Sequence, residues 1–405
     1  MRVLLGGALA ALVAVAGTAG ATRPTARAIG HVNPGGGYSA DVFVHRGYAY
    51  LGSWHGSACP SQGVRVYDLR SLAHPRRVAT FADGRSNLEV RGTWTEKTIV
   101  RHVRTSAFSG ELAVTSFQNC PGTNSFRGFG LYDVTDPRRP KQLALVRTEP
   151  GGSHEIWLQP VGRRAYVYTA IPLAEVGQPL SPGFRIYDVT DPGDPVEVGS
   201  WIAPASMRAG KGAVFVHSVR VNATATRAYL SYWDLGTVIL DISHPSRPAF
   251  LGRTNDPQGF AHSTALTPNG KVMIETHERD GGRPSFWSVA DPRHPRLLSV
   301  FNPPKRLVDA ARKRGASGFA LGVHDPKIVG NRAYFSWYGL GVLVVDISNP
   351  RRPRFVAQFR PSGARDPDQS FCPGRRCSYT WGVYALPRYA VASDMVGGLW
   401  VFRVR

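Results

Sequence analysis

The sequence predicts an all-β protein, a seven-bladed β-propeller of four-stranded blades closed by an N-terminal strand that completes the last blade. Three observations predict it: a ten-residue signature that recurs along the chain, 44 Gly and 31 Pro in 405 residues, and complementary fragments at the two ends. Frequent Gly and Pro place turns every few residues and leave little room for long helices. A charged share of 19% beside 42% hydrophobic residues excludes a disordered tail or a coiled coil.

The signature is two apolar residues, Asp, an aliphatic, Ser or Thr, a small polar residue, Pro, two variable residues and Pro. It reads LYDVTDPRRP at 131–140, IYDVTDPGDP at 186–195, ILDISHPSRP at 239–248 and VVDISNPRRP at 344–353. Eroded copies are VYDLRSLAHP, ending at Pro75, and FWSVADPRHP, ending at Pro295. The apolar start is a strand, and Asp, Asn or His before Pro opens a turn whose first corner Pro pre-sets. A short apolar strand follows each second Pro. An aromatic strand precedes each signature, as in AYVYTA from Ala165, AYLSYW from Ala228 and AYFSWY from Ala333. With one more strand before that, each unit has four, the size of a propeller blade. The chain stops at LWVFRVR, a third strand without its fourth, while Ile29-Gly30-His31-Val32 resembles the fourth-strand pieces at Val198 and Leu251. Joining the two ends closes the ring and removes both sheet edges.

These DxSxPxxP signatures, with AYV-type strands before them, resemble the LVIVD-repeat family of secreted and surface proteins over nearly the whole chain. More loosely they are similar to the selenium-binding-protein propellers, which include methanethiol oxidases. The first resemblance implies a propeller and export without an established chemistry; the second implies copper.

The N-terminal MRVLLGGALAALVAVAGTAGA has a charged start at Arg2, an apolar stretch over 3–16 and small residues at Ala19-Gly20-Ala21. That is the layout of a secretory signal peptide over 1–21. A single propeller over 22–405, exported to the cell envelope or beyond, is the expectation. No later segment is long and apolar enough to be a transmembrane helix. Four cysteines suit an oxidising compartment. Cys59 and Cys120 fall in equivalent loops of adjacent blades and are expected to pair, as are Cys372 and Cys377, which close a small loop.

The first strand of each blade lines the tunnel. Counting back from the aromatic strand, one position holds His102, His154, His217, His262 and His324, five of the twelve histidines. Its counterparts are Ala40 in the first blade and Trp381 in the seventh. Imidazoles converging on one rim are candidate ligands for copper, zinc or iron. His55 and His277, at the ends of second strands, return to the same rim. Glu155 and Asp325 follow ring histidines directly. Strand alternation is expected to turn them off the ring's face, as groups that orient an imidazole N–H or bond between blades.

The longest loops, over 82–98, 202–214, 302–320 and 360–378, are expected over that rim, with a short basic helix near 305–314. The opposite face carries the Pro-rich turns with Arg76, Arg77, Arg138, Arg139, Arg247, Arg293, Arg351 and Arg352. With a net charge of +21, these make an anionic cell-envelope polymer a candidate partner. An exported chain without a recognisable RRM, KH or helix-turn-helix module is not expected to bind nucleic acid. No Gly-x-Ser-x-Gly elbow, Walker loop, HExxH or dinucleotide fingerprint is present. The expected function is therefore ligand or partner binding at the top face, by a scaffold propeller whose histidines hold a transition metal. The alternative is a copper- or iron-dependent oxidoreductase with its active site at the same rim.

Overall fold

The computed structural model describes residues 25–404; the expected signal peptide over 1–21 lies outside the described residues. Seven four-stranded antiparallel units surround a central tunnel. Their innermost strands are Tyr38–His45, Thr98–Arg104, Glu155–Val161, Ser218–Val221, Ala261–Leu266, Pro326–Val329 and Thr380–Ala385. We number the blades 1 to 7 in that order. The strand Ala26–Val32 pairs antiparallel with Gly398–Val404 and becomes the outer strand of blade 7. The ring is closed by joining the first and last described strands.

The repeated residues explain how the blades stack. The Ala of each Ala-Tyr pair (Ala49, Ala165, Ala228 and Ala333) is fully buried. Within each signature, the first Asp caps its own turn. The carboxylates of Asp188, Asp241 and Asp346 each accept from the backbone N–H two residues on, at 2.8 Å. The residue before Pro repeats the device: Asp191 accepts from Gly193 at 2.9 Å, and Asn349 from Arg351 at 3.0 Å. Side chains that mimic a backbone turn in this way fix where strand three reverses.

The fourth-strand glycines receive the next blade. A Cβ on Gly199 would lie 2.0 Å from the carbonyl oxygen of Pro245, and one on Gly252 would lie 2.4 Å from that of Pro292. Gly30, in the closing strand, stands in the same relation to Leu72 of blade 1, at 2.0 Å. The Gly in the N-terminal fragment thus serves the same docking purpose as its repeats, which is why the fragment looks like them.

Inner strands run from the top face to the bottom. The strand 1–2 hairpins and the Pro-rich turns share the bottom face, and the long loops lie on top. A helix over Lys305–Lys313 lies in one of these loops. Both expected disulfides are present, Cys59–Cys120 between blades 1 and 2 and Cys372–Cys377 within a top loop, with Cα atoms 5.9 and 6.2 Å apart.

Candidate metal centre

The tops of the inner strands do not follow simple alternation. Pairing slips between Ser39 and Val42, between Ala261 and Thr264, and between Thr380 and Gly382. In blade 6, His324 N–H donates to the Ser336 carbonyl at 2.9 Å while Ser336 N–H donates to Asp325 at 3.0 Å, so two residues oppose one. Such bulges let consecutive side chains share a face. Glu155 and Asp325 both reach the Lys97 ammonium in the tunnel, at 3.0 and 3.5 Å, so the expectation that they turn away from it is corrected. They line it, one layer beneath the histidines.

His154, His217, His262 and His324 form an arc across blades 3 to 6. Neighbouring ring centroids lie 4.4, 4.2 and 4.2 Å apart, and Trp381 of blade 7 continues the arc 4.6 Å from His324. Three of the imidazoles are oriented by the next blade and His154 by the preceding one. His217 Nδ1 donates to the carbonyl of His262 at 3.2 Å, His262 Nδ1 to that of His324 at 3.2 Å, and His324 Nδ1 to that of Trp381 at 2.7 Å. His154 Nδ1 faces Gln118 Oε1 at 2.7 Å and Glu96 Oε2 at 3.0 Å. A backbone carbonyl only accepts, so the Nδ1 of His217, His262 and His324 carries the proton and their Nε2 presents a lone pair, and with Gln118 Oε1 as acceptor His154 takes the same tautomer.

The imidazoles meet in two sets that share His217. His154 Nε2 and His217 Nε2 are 3.0 Å apart, and the ligand atoms of His217, His262 and Glu278 all lie within 4.8 Å of one another. His324 Nε2 is buried without a hydrogen-bond partner. Two acceptors at 3.0 Å repel unless a proton or a cation lies between them. Burial first, then the neighbouring His324 and Lys97, push His154 down to about 3. Burial likewise drives His217 and His262 well below the ordinary histidine range. A charged imidazolium is disfavoured there, whereas a metal ion takes neutral imidazoles. Two nitrogens each about 2.0–2.1 Å from a tetrahedral ion would lie roughly 3.3 Å apart, close to the separation seen.

Two carboxylates flank the arc. Glu278 Oε2 is 3.6 Å from His262 Nε2, and its other oxygen accepts from the Tyr338 hydroxyl. Burial raises Glu278 to about 7. Glu96 occupies the ring position of blade 2, and burial followed by the charge of Glu155 raises it well above the usual carboxylate range.

Below the arc, Lys97 plugs the tunnel. Its ammonium lies 2.6 Å from Asp41, 3.0 Å from Glu155 and 3.5 Å from Asp325, all buried. Ser263 donates to Asp325 at 2.5 Å, and Lys327 pairs with the same carboxylate. Burial pulls Lys97 down, but Asp325, Asp41 and Glu155 hold it well above its ordinary value. One cation thus ties together blades 1, 2, 3 and 6.

The remaining candidates lie apart. His102 is not in the arc: its side chain is 50% exposed and pairs with Glu111 at 3.0 Å. Its misplacement has a clear cause. Val100 pairs with Ala113 as Ile328 does with Ala333, but the blade-2 hairpin runs on to an Arg104–Ser109 pair. A fixed count back from the second strand therefore lands in the added turns. His55 stacks on Trp54 at 3.8 Å, 5.3 Å from Trp94, above the arc. His277 is fully buried beside Asp256 at 3.2 Å. Burial pushes it down, but Asp256 and Glu275 outweigh that and leave it above its ordinary value. With its Nδ1 donating to Gly259 at 2.7 Å, it forms an ion pair apart from the arc.

Glu96, Glu278 and Lys97 escaped the sequence reading. The register of TEKTIV against VHDPKIV places Glu96 opposite His324, and Lys97 is one of few lysines in an Arg-rich chain, so both had a signal. Glu278 lies in a loop after a second strand, where no repeat marks it.

Four-stranded blades around a capped and plugged tunnel define a seven-bladed β-propeller with a candidate metal centre at its top. The LVIVD repeat model matches residues 227–256 and 323–360, so the chain carries LVIVD repeats; the second match spans blade 6 and includes His324. No curated protein matches the sequence significantly. Among solved structures, the chain resembles Raptor from Chaetomium thermophilum, at 13% identity and TM-score 0.60 over 93% of this chain and 29% of that one. It therefore spans under a third of Raptor. It also resembles the Cps50 (Swd1) β-propeller domain of Myceliophteria thermophila, at 13% identity and TM-score 0.59 over 94% and 100% of the two chains. A third likeness is the computationally designed Ika8 protein, at 8% identity and TM-score 0.54 over 92% and 98%. At these identities the likeness is one of fold.

Proposed function

We propose that the protein is an exported binding propeller that holds one transition-metal ion at the top of its tunnel and presents it to a small-molecule or protein ligand. The observation that carries this reading is the 3.0 Å contact between two Nε2 atoms whose Nδ1 atoms each face an oxygen. His217 and His262 would hold the ion with Glu278, with His154 3.0 Å from His217 and His324 next in the arc. Imidazole with carboxylate suits zinc, copper or iron, and the bound ion would supply Lewis acidity or, as copper or iron, one-electron chemistry. The chain's own residues fix the imidazoles through backbone carbonyls, as outer partners of metal ligands commonly do. Trp54, Trp94 and Trp233 crowd the rim above them, a surface suited to an apolar or aromatic ligand. Two disulfides support an oxidising compartment, and the exposed Arg turns suit an anionic envelope polymer.

Metal analysis after separate reconstitution with zinc, copper and iron tests the reading. About one equivalent of one metal is expected, falling below about a tenth in His217→Ala and His262→Ala. Less than about a tenth of an equivalent in the unaltered protein, for all three metals, would overturn it. A second reading, a copper- or iron-dependent oxidoreductase, draws on Tyr338 and Trp381, oxidisable rings 5.0 and 4.6 Å from His324. Dioxygen uptake by the copper- or iron-loaded protein, given a thiol or phenol, would distinguish it from binding alone.

A further inference from the structure

Beneath the Lys97 plug the tunnel widens into a cavity of about 740 Å³ that opens on the bottom face among the strand 1–2 hairpins. That volume is in the range of small-molecule sites, roughly 300–1,000 Å³. Its wall combines Phe43, Trp157 and Tyr384 with four cations, Arg101, Arg220, Arg227 and Lys327. Arg101 comes from blade 2 and Arg220 from blade 4, and both guanidiniums rest on the indole of Trp157 from blade 3, at 5.1 and 4.2 Å. Arg101 also covers Phe43 at 5.1 Å. Stacking holds the guanidinium planes while leaving most of their N–H edges free.

Few of those edges are used. Arg220 Nε donates to the Thr264 carbonyl at 3.1 Å, and Arg101 Nη1 to that of Val100 at 3.3 Å. Among the described residues, neither forms a salt bridge with a carboxylate. Asp41, Glu155 and Asp325 form the ceiling of the cavity, but Lys97 engages all three and Lys327 engages Asp325 again. Burial lowers both arginines from their ordinary value, the expected response of cations withdrawn from water. The cavity is therefore short of negative charge while offering rigid, bidentate donors.

We infer that this lower cavity is a binding site for a small organic oxyanion, a phosphate- or carboxylate-bearing compound with an aromatic or apolar body. Arg101 and Arg220 grip the oxyanion and Phe43, Trp157 and Tyr384 take the body. A guanidinium fork matches a pair of oxygens on either group. The exposed arginines on the same face, among them Arg139 and Arg352, raise the local anion concentration at the mouth without being part of the site. Nothing in this inference depends on the metal centre above the plug.

Isothermal titration with phenyl phosphate and with benzoate tests it, using the full mature chain. The expected result is saturable one-to-one binding of at least one probe, weakened roughly tenfold or more in Arg101→Lys and Arg220→Lys, which keep charge but lose the fork. Arg101→Gln with Arg220→Gln should abolish binding while circular dichroism and the melting temperature confirm a folded propeller. Arg139→Gln with Arg352→Gln should leave affinity within about twofold. Absence of saturable binding by either probe would overturn the inference. An equal loss in the Arg139 and Arg352 variant would do so too, since it would assign binding to the surface.

Discussion

At the top of the tunnel, four imidazoles pack side by side, two of them with Nε2 atoms 3.0 Å apart; at the bottom, two stacked guanidiniums face an open cavity. Both ends are built from the same inner strands, a few residues apart. His217 and Arg220 are three positions apart in one blade, with Ser218 between them in the plug layer. The upper end offers donors suited to a cation, and the lower end offers donors suited to an anion. What separates them is Lys97 with its three carboxylates, a closed charge network that insulates one site from the other. The repeat supplies the frame, and the chemistry is set by which layer of the frame a substitution falls in.

Breaking the frame itself should have the largest effect. Removing residues 25–33 takes away the strand that pairs with Gly398–Val404 and the Gly30 contact with blade 1. It leaves an unpaired edge and an unsupported blade. The expected outcome is loss of a single cooperative thermal transition, with both ends of the tunnel lost together; an unchanged melt would refute closure by this strand.

Next in size is the divider. Lys97→Met strands three buried carboxylates and should cost about 3–5 kcal/mol in urea unfolding. Adding Asp325→Asn should recover part of that loss, because one of the uncompensated charges is gone. A Lys97→Met protein as stable as the parent would show that the network does not hold the blades.

The disulfides sharpen the comparison between faces, since both lie on top. Cys59–Cys120 spans 61 positions and Cys372–Cys377 spans 5. Chain entropy then predicts about 4 kcal/mol for the first and about 2 kcal/mol for the second on replacement by alanine. Calorimetry of the two double variants checks the order.

Much of this was legible in the sequence because a repeat reports on itself. The Asp–Pro turns, the fourth-strand glycines and the end fragments gave the blade count, the closure and the cysteine pairing. Four of five ring histidines followed from counting positions along hairpins of similar length. His102 did not, because the blade-2 hairpin carries extra pairs beyond Val100. Glu155 and Asp325 were turned the wrong way because a bulge breaks the alternation on which the reading relied. Glu278 and the stacking of Arg101 and Arg220 on Trp157 depend on how loops and adjacent blades meet, which no single repeat encodes.

The most direct test of the metal centre is anomalous diffraction from crystals grown with zinc. The account predicts one strong peak about 2.0–2.3 Å from the Nε2 atoms of His217 and His262 and from a carboxylate oxygen of Glu278, with His154 beside it. A zinc peak at His102 and Glu111 or at His277 and Asp256, with none inside the arc, would contradict it.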